Sequence, residues 1–279
     1  MEWFFEAFDR LTTSQLLHRA WLGGAFIALV GPVLGVFLVL RRYALFSEGI
    51  GHIVFGGIGL SFFLKLHPIW TALVTAIISA LGIEHIRSQR RLSGDLAIAI
   101  FLTFGLGSGL LLARLGGESA RSIEKYLFGS LLSIRSEDIW TAGILAVIVL
   151  LTLILVGKEL FAITFDEESA QVGGIPSRWL NRLLAVLAAV TIVASMRVTG
   201  ILLASALVIL PTAASLQIAR SFLKAVLFAV MFGLLTISLG VVIISIFPNV
   251  ILSGTIVCSG VFWFVVSWTI HWIQQRIKQ

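Results

Sequence analysis

Two residues of the chain carry cation-binding chemistry into an otherwise apolar stretch. Glu48 and His52 stand four positions apart in the run "FSEGIGHIVFGGIGL". Side chains at i and i+4 share one helix face, so a carboxylate oxygen and an imidazole nitrogen converge on one point. That donor pair suits Zn²⁺, and also Mn²⁺ or Fe²⁺. The position is costly, because an acidic side chain near the middle of a spanning helix costs about 2.5–3.5 kcal/mol on insertion. Ionisable residues retained there usually face a cavity or bundle interior and mark an ion path. The other carboxylates, Glu84 among them, read as loop or span-end residues, as do His18, His67, His85 and His271. Two ligands hold a metal weakly, whereas a two-fold dimer with this helix at its axis offers two Glu and two His. Taken alone, the pair also fits a structural role in which each residue satisfies the other.

The elements that must position this pair follow from composition. Of the 279 residues 58% are hydrophobic and only 12% charged, about half the charged fraction of an average soluble domain. Too few charges exist to cover a soluble core, so a soluble enzyme and a disordered chain are excluded. Cys258 is the single cysteine, which excludes an intrachain disulfide and a disulfide scaffold. The net charge of +6 belongs in cytoplasmic loops rather than on nucleic acid. The fold class is all-α: a polytopic helical membrane protein.

Apolar runs near 20–40, 44–64, 69–83, 96–115, 139–157, 183–197, 199–219, 225–247 and 249–270 predict spanning helices. The sixth and seventh are parted only by Arg197 and Val198, so eight or nine spans are expected. With nine spans and the C-terminus inside, twelve of the 20 Lys and Arg fall on the cytoplasmic side, as the positive-inside rule favours. Residues 1–18, with Trp3, Phe4, Phe5 and Phe8 among Glu2, Glu6 and Asp9, read as an amphipathic segment on the membrane surface. Tyr126–Ile134 is apolar but too short to span, and reads as a helix lying on or dipping into the outer leaflet. Pro32 and Pro211 interrupt apolar helices, and each frees a carbonyl. The whole chain, 1–279, is expected to be one transmembrane domain.

The longest cytoplasmic segment is 158–182. Within it "FDEESAQVGGIP" predicts a short helix. Asp166, Glu167, Glu168 and Ser169 open it, acids suiting the start of the dipole; Ala170 lies inside; Gly173 and Gly174 end it, and Pro176 prevents its continuation. Held between two spans, such a helix can dock into a groove on another protein, although an ordinary solvated loop fits equally well. No Gly-x-x-x-x-Gly-Lys-Ser/Thr run, Ser-His-Asp order or His-Glu-x-x-His run occurs, so the chain has no phosphate loop of its own.

Six stretches in order resemble one family, the membrane permease subunits of ATP-binding-cassette importers for zinc, manganese and iron. They are "GVFLVLRRYALFSEGIGHIVFGGIGL", "GDLAIAIFLTFGLGSGLLL", "YLFGSLLSIRSEDI", "FDEESAQVGGIPSRWLNRLL", "VTGILLASALVILPTAAS" and "LSGTIVCSG". The resemblance implies a type II importer permease fold, no permanently bound cofactor and a transported divalent metal. It implies a second copy of the chain, a cytoplasmic ATP-binding subunit, an extracellular metal-binding protein, and a place in a prokaryotic cell membrane among lipid. Glu48 stands where the family has an intramembrane Asp, and His52 where it has its His; those positions contribute to a metal site at the dimer axis. Residues Asp166 to Gly174 stand at the coupling helix. Glu for Asp lengthens the ligand arm by one methylene, and Gly51 and Gly56 replace a Ser and a Pro. Two other readings share features of the sequence. A permease for an organic metal chelate (a siderophore or corrinoid) would not need the Glu–His pair, and a proton-coupled secondary transporter would use Glu48 without an ATPase.

Overall fold

A computed structural model describes residues 13–89, 94–119, 122, 126–129, 136–247 and 250–278. Eleven helices make up the main elements among these residues: α1 (Gln15–Leu40), α2 (Phe46–Leu64), α3 (Pro68–Ser88), α4 (Gly94–Leu115), α5 (Ser136–Leu155), α6 (Gly157–Phe165), α7 (Glu167–Val172), α8 (Ser177–Thr199), α9 (Ile201–Ile218), α10 (Phe222–Ile246) and α11 (Leu252–Lys278). Eight of them, α1–α5, α8, α10 and α11, contain stretches long and apolar enough to cross a bilayer. The ninth apolar helix, α9, is shorter and is separated from α8 at Gly200, whose φ of 82° lies in the left-handed region. The expected sixth and seventh spans are therefore two helices with a glycine break between them.

Helix α2, which carries Glu48 and His52, is among the most enclosed parts of the bundle. It packs most closely against α4, and also contacts α3, α9 and α8. Glycines let α4 approach: a Cβ added at Gly49 would lie 2.7 Å from the Ile98 side chain, and one at Gly105 would lie 2.6 Å from the His52 carbonyl. Helices in lipid associate through such close packing of small residues, because lipid tails remove the usual hydrophobic drive between helices. Gly105→Val should force α4 away from His52 and destabilise the protein by about 1–3 kcal/mol. The solubilised variant is expected to show a lower melting temperature than wild type.

Around this centre, α1 packs on α10, α9, α5 and α8. Pro32 and Pro211 lie inside α1 and α9, and both helices continue through them. The Thr212 hydroxyl donates to the Pro32 carbonyl at 3.2 Å, tying the two proline-bearing helices together. Outward faces are apolar, as a lipid environment requires: Ile144, Ile148, Leu151 and Leu155 are exposed along α5, and Trp70, Trp140, Trp179 and Trp272 are exposed near helix ends. Tryptophan at helix ends fits the interfacial belts of a bilayer.

Three expectations shift. Residues 1–12 of the amphipathic segment lie outside the described residues, and Gln15–His18 already belong to α1. The third span does not stop near residue 83 but runs to Ser88, so Glu84 is a buried residue of that helix rather than a span-end group facing solvent. Tyr43 from the α1–α2 turn and Arg87 of the same helix make that burial tolerable, as described below. Of Tyr126–Ile134, residues 126–129 are described. Tyr126 stacks edge-on against Phe62, and a Cβ at Gly129 would lie 2.8 Å from the Gly200 nitrogen. The backbone at Gly129 thus meets the α8–α9 break, a contact that positive φ at both glycines (69° and 82°) permits. Residues 130–134 lie outside the described set.

Candidate functional site

Glu48 occupies the first turn of α2, nearer its end than the middle position expected from hydropathy. A helix N-terminus favours a carboxylate through the exposed N–H groups and the dipole, which offsets part of the cost of keeping it in the membrane. As the i, i+4 spacing requires, His52 lies one turn on, with Nε2 at 3.3 Å from Glu48 Oε1. A residue from a different helix completes the set: the Ser205 hydroxyl of α9 donates to Glu48 Oε2 at 2.5 Å. Residue 51 faces Ile201 of α9, where an added Cβ would make an ordinary contact at 3.4 Å.

The pair is asymmetric in exposure. The Glu48 side chain is 35% exposed and that of His52 12%, so the carboxylate opens from the bundle while the ring lies behind it. His52 Nδ1 is buried and meets no hydrogen-bond partner among the described residues, and neither does the hydroxyl of Ser47. With the ring in its Nδ1–H tautomer, a cation arriving between Nε2 and Oε1 would be ligated by both atoms. Among the described residues no group of three or more His, Cys, Asp or Glu is placed to hold a metal. One copy of the chain therefore brings together one carboxylate and one imidazole at this point, and no third such group among the described residues.

A second cluster lies where the α1–α2 turn meets the segment before α8. Asp166 caps α7: its Oδ1 accepts the Ser169 N–H at 2.9 Å and its Oδ2 accepts the Ser169 hydroxyl. These hydrogen bonds from Ser169 hold the exposed Asp166 carboxyl below the usual carboxylate range. Gly173 ends the helix, Gly174 takes a φ of 84°, and Ala170 is buried beneath it. The expected short helix is thus present with its expected caps, and the further helix α6 precedes it. At its far end Val172 is 91% exposed, an apolar residue offered outward.

Glu167 of α7 turns inward. Its Oε2 pairs with Arg41 Nη2 at 3.1 Å and its Oε1 accepts from Asn181 Nδ2 at 2.9 Å, while Arg41 also donates to Asn181 Oδ1. Burial pulls the Arg41 pKa below its ordinary value, and Glu167 and Glu84 pull it back up. Nearby, Tyr43 donates to Glu84 Oε2 at 2.6 Å, Arg87 Nε donates to the same oxygen at 3.2 Å, and the Arg87 guanidinium lies 4.2 Å from the Tyr43 ring centroid. A cavity of about 600 Å³ lies alongside, lined by Glu84, Arg87, Asp166, Glu167, Asn181 and Arg182 among others.

Sequence reasoning missed Ser205 and this network. Ser205 left no signal, being one hydroxyl in an apolar run. Glu84 and Arg87 left one: opposite charges three residues apart at the end of an apolar stretch can extend a helix as a pair.

The sequence pattern described as the ABC 3 transport family matches residues 13–271. The high-affinity zinc uptake system membrane protein ZnuB of Haemophilus influenzae is 32% identical over 253 residues, covering 91% of this chain and 97% of that one. The manganese transport system membrane protein MntC of Halalkalibacterium halodurans is 29% identical over 234 residues, covering 84% of this chain and 80% of that one. Among solved structures, PsaBC from Streptococcus pneumoniae in complex with Fab superimposes with a TM-score of 0.84 at 28% identity, covering 95% of both chains.

Proposed function

Because the chain belongs to the ABC 3 transport family, we propose that it is the membrane permease of an ATP-driven importer of a divalent transition metal: zinc, manganese or iron. What carries the metal assignment is the geometry of Glu48 and His52, a carboxylate and an imidazole 3.3 Å apart with the carboxylate opening outward. Mixed oxygen and nitrogen donors discriminate against Mg²⁺ and Ca²⁺, which prefer all-oxygen shells. Relatives named for zinc and for manganese support the same class of cargo.

The ligand count supports a two-fold assembly. Two ligands per chain become four when two copies meet across a two-fold axis with the two α2 helices facing each other. An extracellular metal-binding protein delivers the ion to the outer face. The ion sheds water to meet Glu48 and His52 from both copies, and separation of the two α2 helices breaks the four-ligand set and releases it. Import needs binding strong enough to admit the ion and weak enough to let it leave. ATP is hydrolysed by a cytoplasmic subunit under each copy, docked on α7 through Asp166, Glu167, Glu168, Ser169, Ala170, Gly173 and Gly174. The chain forms one transmembrane domain in a prokaryotic cell membrane and keeps no cofactor of its own. An organic chelate would have no use for the pair, and a proton-coupled carrier would leave the docking helix idle.

The test is uptake. Cells lacking their own importers and expressing this chain with its ATP-binding subunit and binding protein should accumulate one divalent transition metal from limiting medium, and only while ATP is available. Unchanged content of zinc, manganese and iron would overturn the reading. Ser205→Ala should lower the initial uptake rate about tenfold, since a hydrogen bond to a charged group contributes ~1.5–3 kcal/mol. Ser205→Thr, which keeps the hydroxyl, should retain most of the rate.

A further inference from the structure

We propose that Arg41 is a positioning residue that ties the docking helix α7 to the ligand-bearing helix α2, so that displacement of α7 is delivered to the turn carrying Glu48. The inference rests on the reading of α7 as the place where an ATP-binding subunit engages.

The link from α1 to α2 is short and stiff. Arg41 N–H bonds back to the Phe37 carbonyl, Arg42 takes a left-handed φ of 61°, and Tyr43 N–H bonds to the Leu38 carbonyl at 2.8 Å. Phe46, the first residue of α2, then bonds to the Tyr43 carbonyl at 3.0 Å. Little slack remains between Arg41 and Glu48, seven residues on.

This turn is held from two sides. On one side Arg41, with only 4% of its side chain exposed, closes a ring with Glu167 of α7 and Asn181 of α8, in which both Glu167 oxygens are occupied. On the other, Tyr43 is fixed by Glu84 and Arg87 of α3, and its ring meets Phe46 edge-on at 5.8 Å. A buried guanidinium cannot be left without its carboxylate cheaply. When α7 moves, Arg41 must therefore follow Glu167 or stay behind as an unpaired buried charge. Following moves the turn, and the Tyr43–Phe46 contact passes that motion into the first turn of α2. The adjoining cavity leaves room on one side of the ring for such a shift. Arginine suits the task because its planar fork spans Asn181 and Glu167 together, which a lysine ammonium does not.

The test uses the full permease with its ATP-binding subunit and metal-loaded binding protein in proteoliposomes, with Zn²⁺ and Mn²⁺ as probes. The quantity read is metal carried per ATP hydrolysed. Arg41→Gln should still copurify with the ATP-binding subunit and still hydrolyse ATP, while metal carried per ATP falls about tenfold, the size of coupling expected between directly paired side chains. Arg41→Lys should fall between, and the exchange Arg41→Glu with Glu167→Arg should recover part of the loss. An unchanged ratio in both single variants overturns the link. So does a parallel fall in hydrolysis and uptake, which would make Arg41 merely structural. If Arg41→Gln does not fold, the Arg41→Lys ratio decides: a wild-type value overturns the link and a reduced one supports it. A wild-type complex that hydrolyses ATP but carries neither metal overturns the function reading instead, and the link with it.

Discussion

Glu48→Ala and His52→Ala, each at wild-type membrane levels, should reduce the cellular content of the transported metal to that of cells lacking the permease. In the proposed two-fold site each substitution removes one of two ligands per copy, so four donors become two. Elemental mass spectrometry of metal-limited cells gives the readout, and the metal that falls in both variants is the cargo. Glu48→Gln sharpens the result. It keeps the size of the side chain and a carbonyl able to accept from Ser205, but removes the charge and one acceptor oxygen. Uptake should therefore fall at least about tenfold, equivalent to ~1.4 kcal/mol of lost interaction. Wild-type uptake in Glu48→Gln would mean that the carboxylate serves packing rather than the ion. Glu48→Asp tests the longer arm, because shortening it by one methylene should change the preference between zinc and manganese if Glu48 ligates the ion.

Replacing residues 167–172 with a glycine–serine stretch of equal length should abolish copurification of the ATP-binding subunit and, with it, all uptake. Two features are lost together. Docking goes with the helix that presents the exposed Val172, and the Glu167 contacts with Arg41 and Asn181, which serve coupling rather than docking, go as well. Asp166→Ala is milder, because it removes only the cap on the Ser169 N–H and hydroxyl. The pH dependence of that cap follows from the lowered Asp166 pKa. Its contribution is fully present above the ordinary carboxylate range and is lost as the pH falls through the lowered value. Docking should accordingly be unchanged between neutral and mildly acidic buffer, as measured by copurification. Loss of docking in mildly acidic buffer would point to a different titrating group.

Glu48 and His52 were legible as a pair because i, i+4 spacing is a property of one helix and needs no knowledge of its neighbours. The same holds for the helical spans, whose length and apolarity are set by the bilayer, and for α7, whose Asp166 and Gly173 ends are local capping chemistry. Contacts between elements distant in sequence were not legible. Ser205 lies 157 residues from the carboxylate it holds, and Tyr43 lies 41 from Glu84. Mean hydropathy ended the third span before Glu84, because an average over neighbours treats a charge as a cost. It has no way to include partners supplied by another helix. Packing decided the reverse: Tyr43 from the α1–α2 turn donates to Glu84, Glu167 pairs with Arg41, and both Glu84 and Arg41 remain buried. A hydrogen bond or ion pair across the bundle depends on which helices lie side by side, and that is a property of the folded chain.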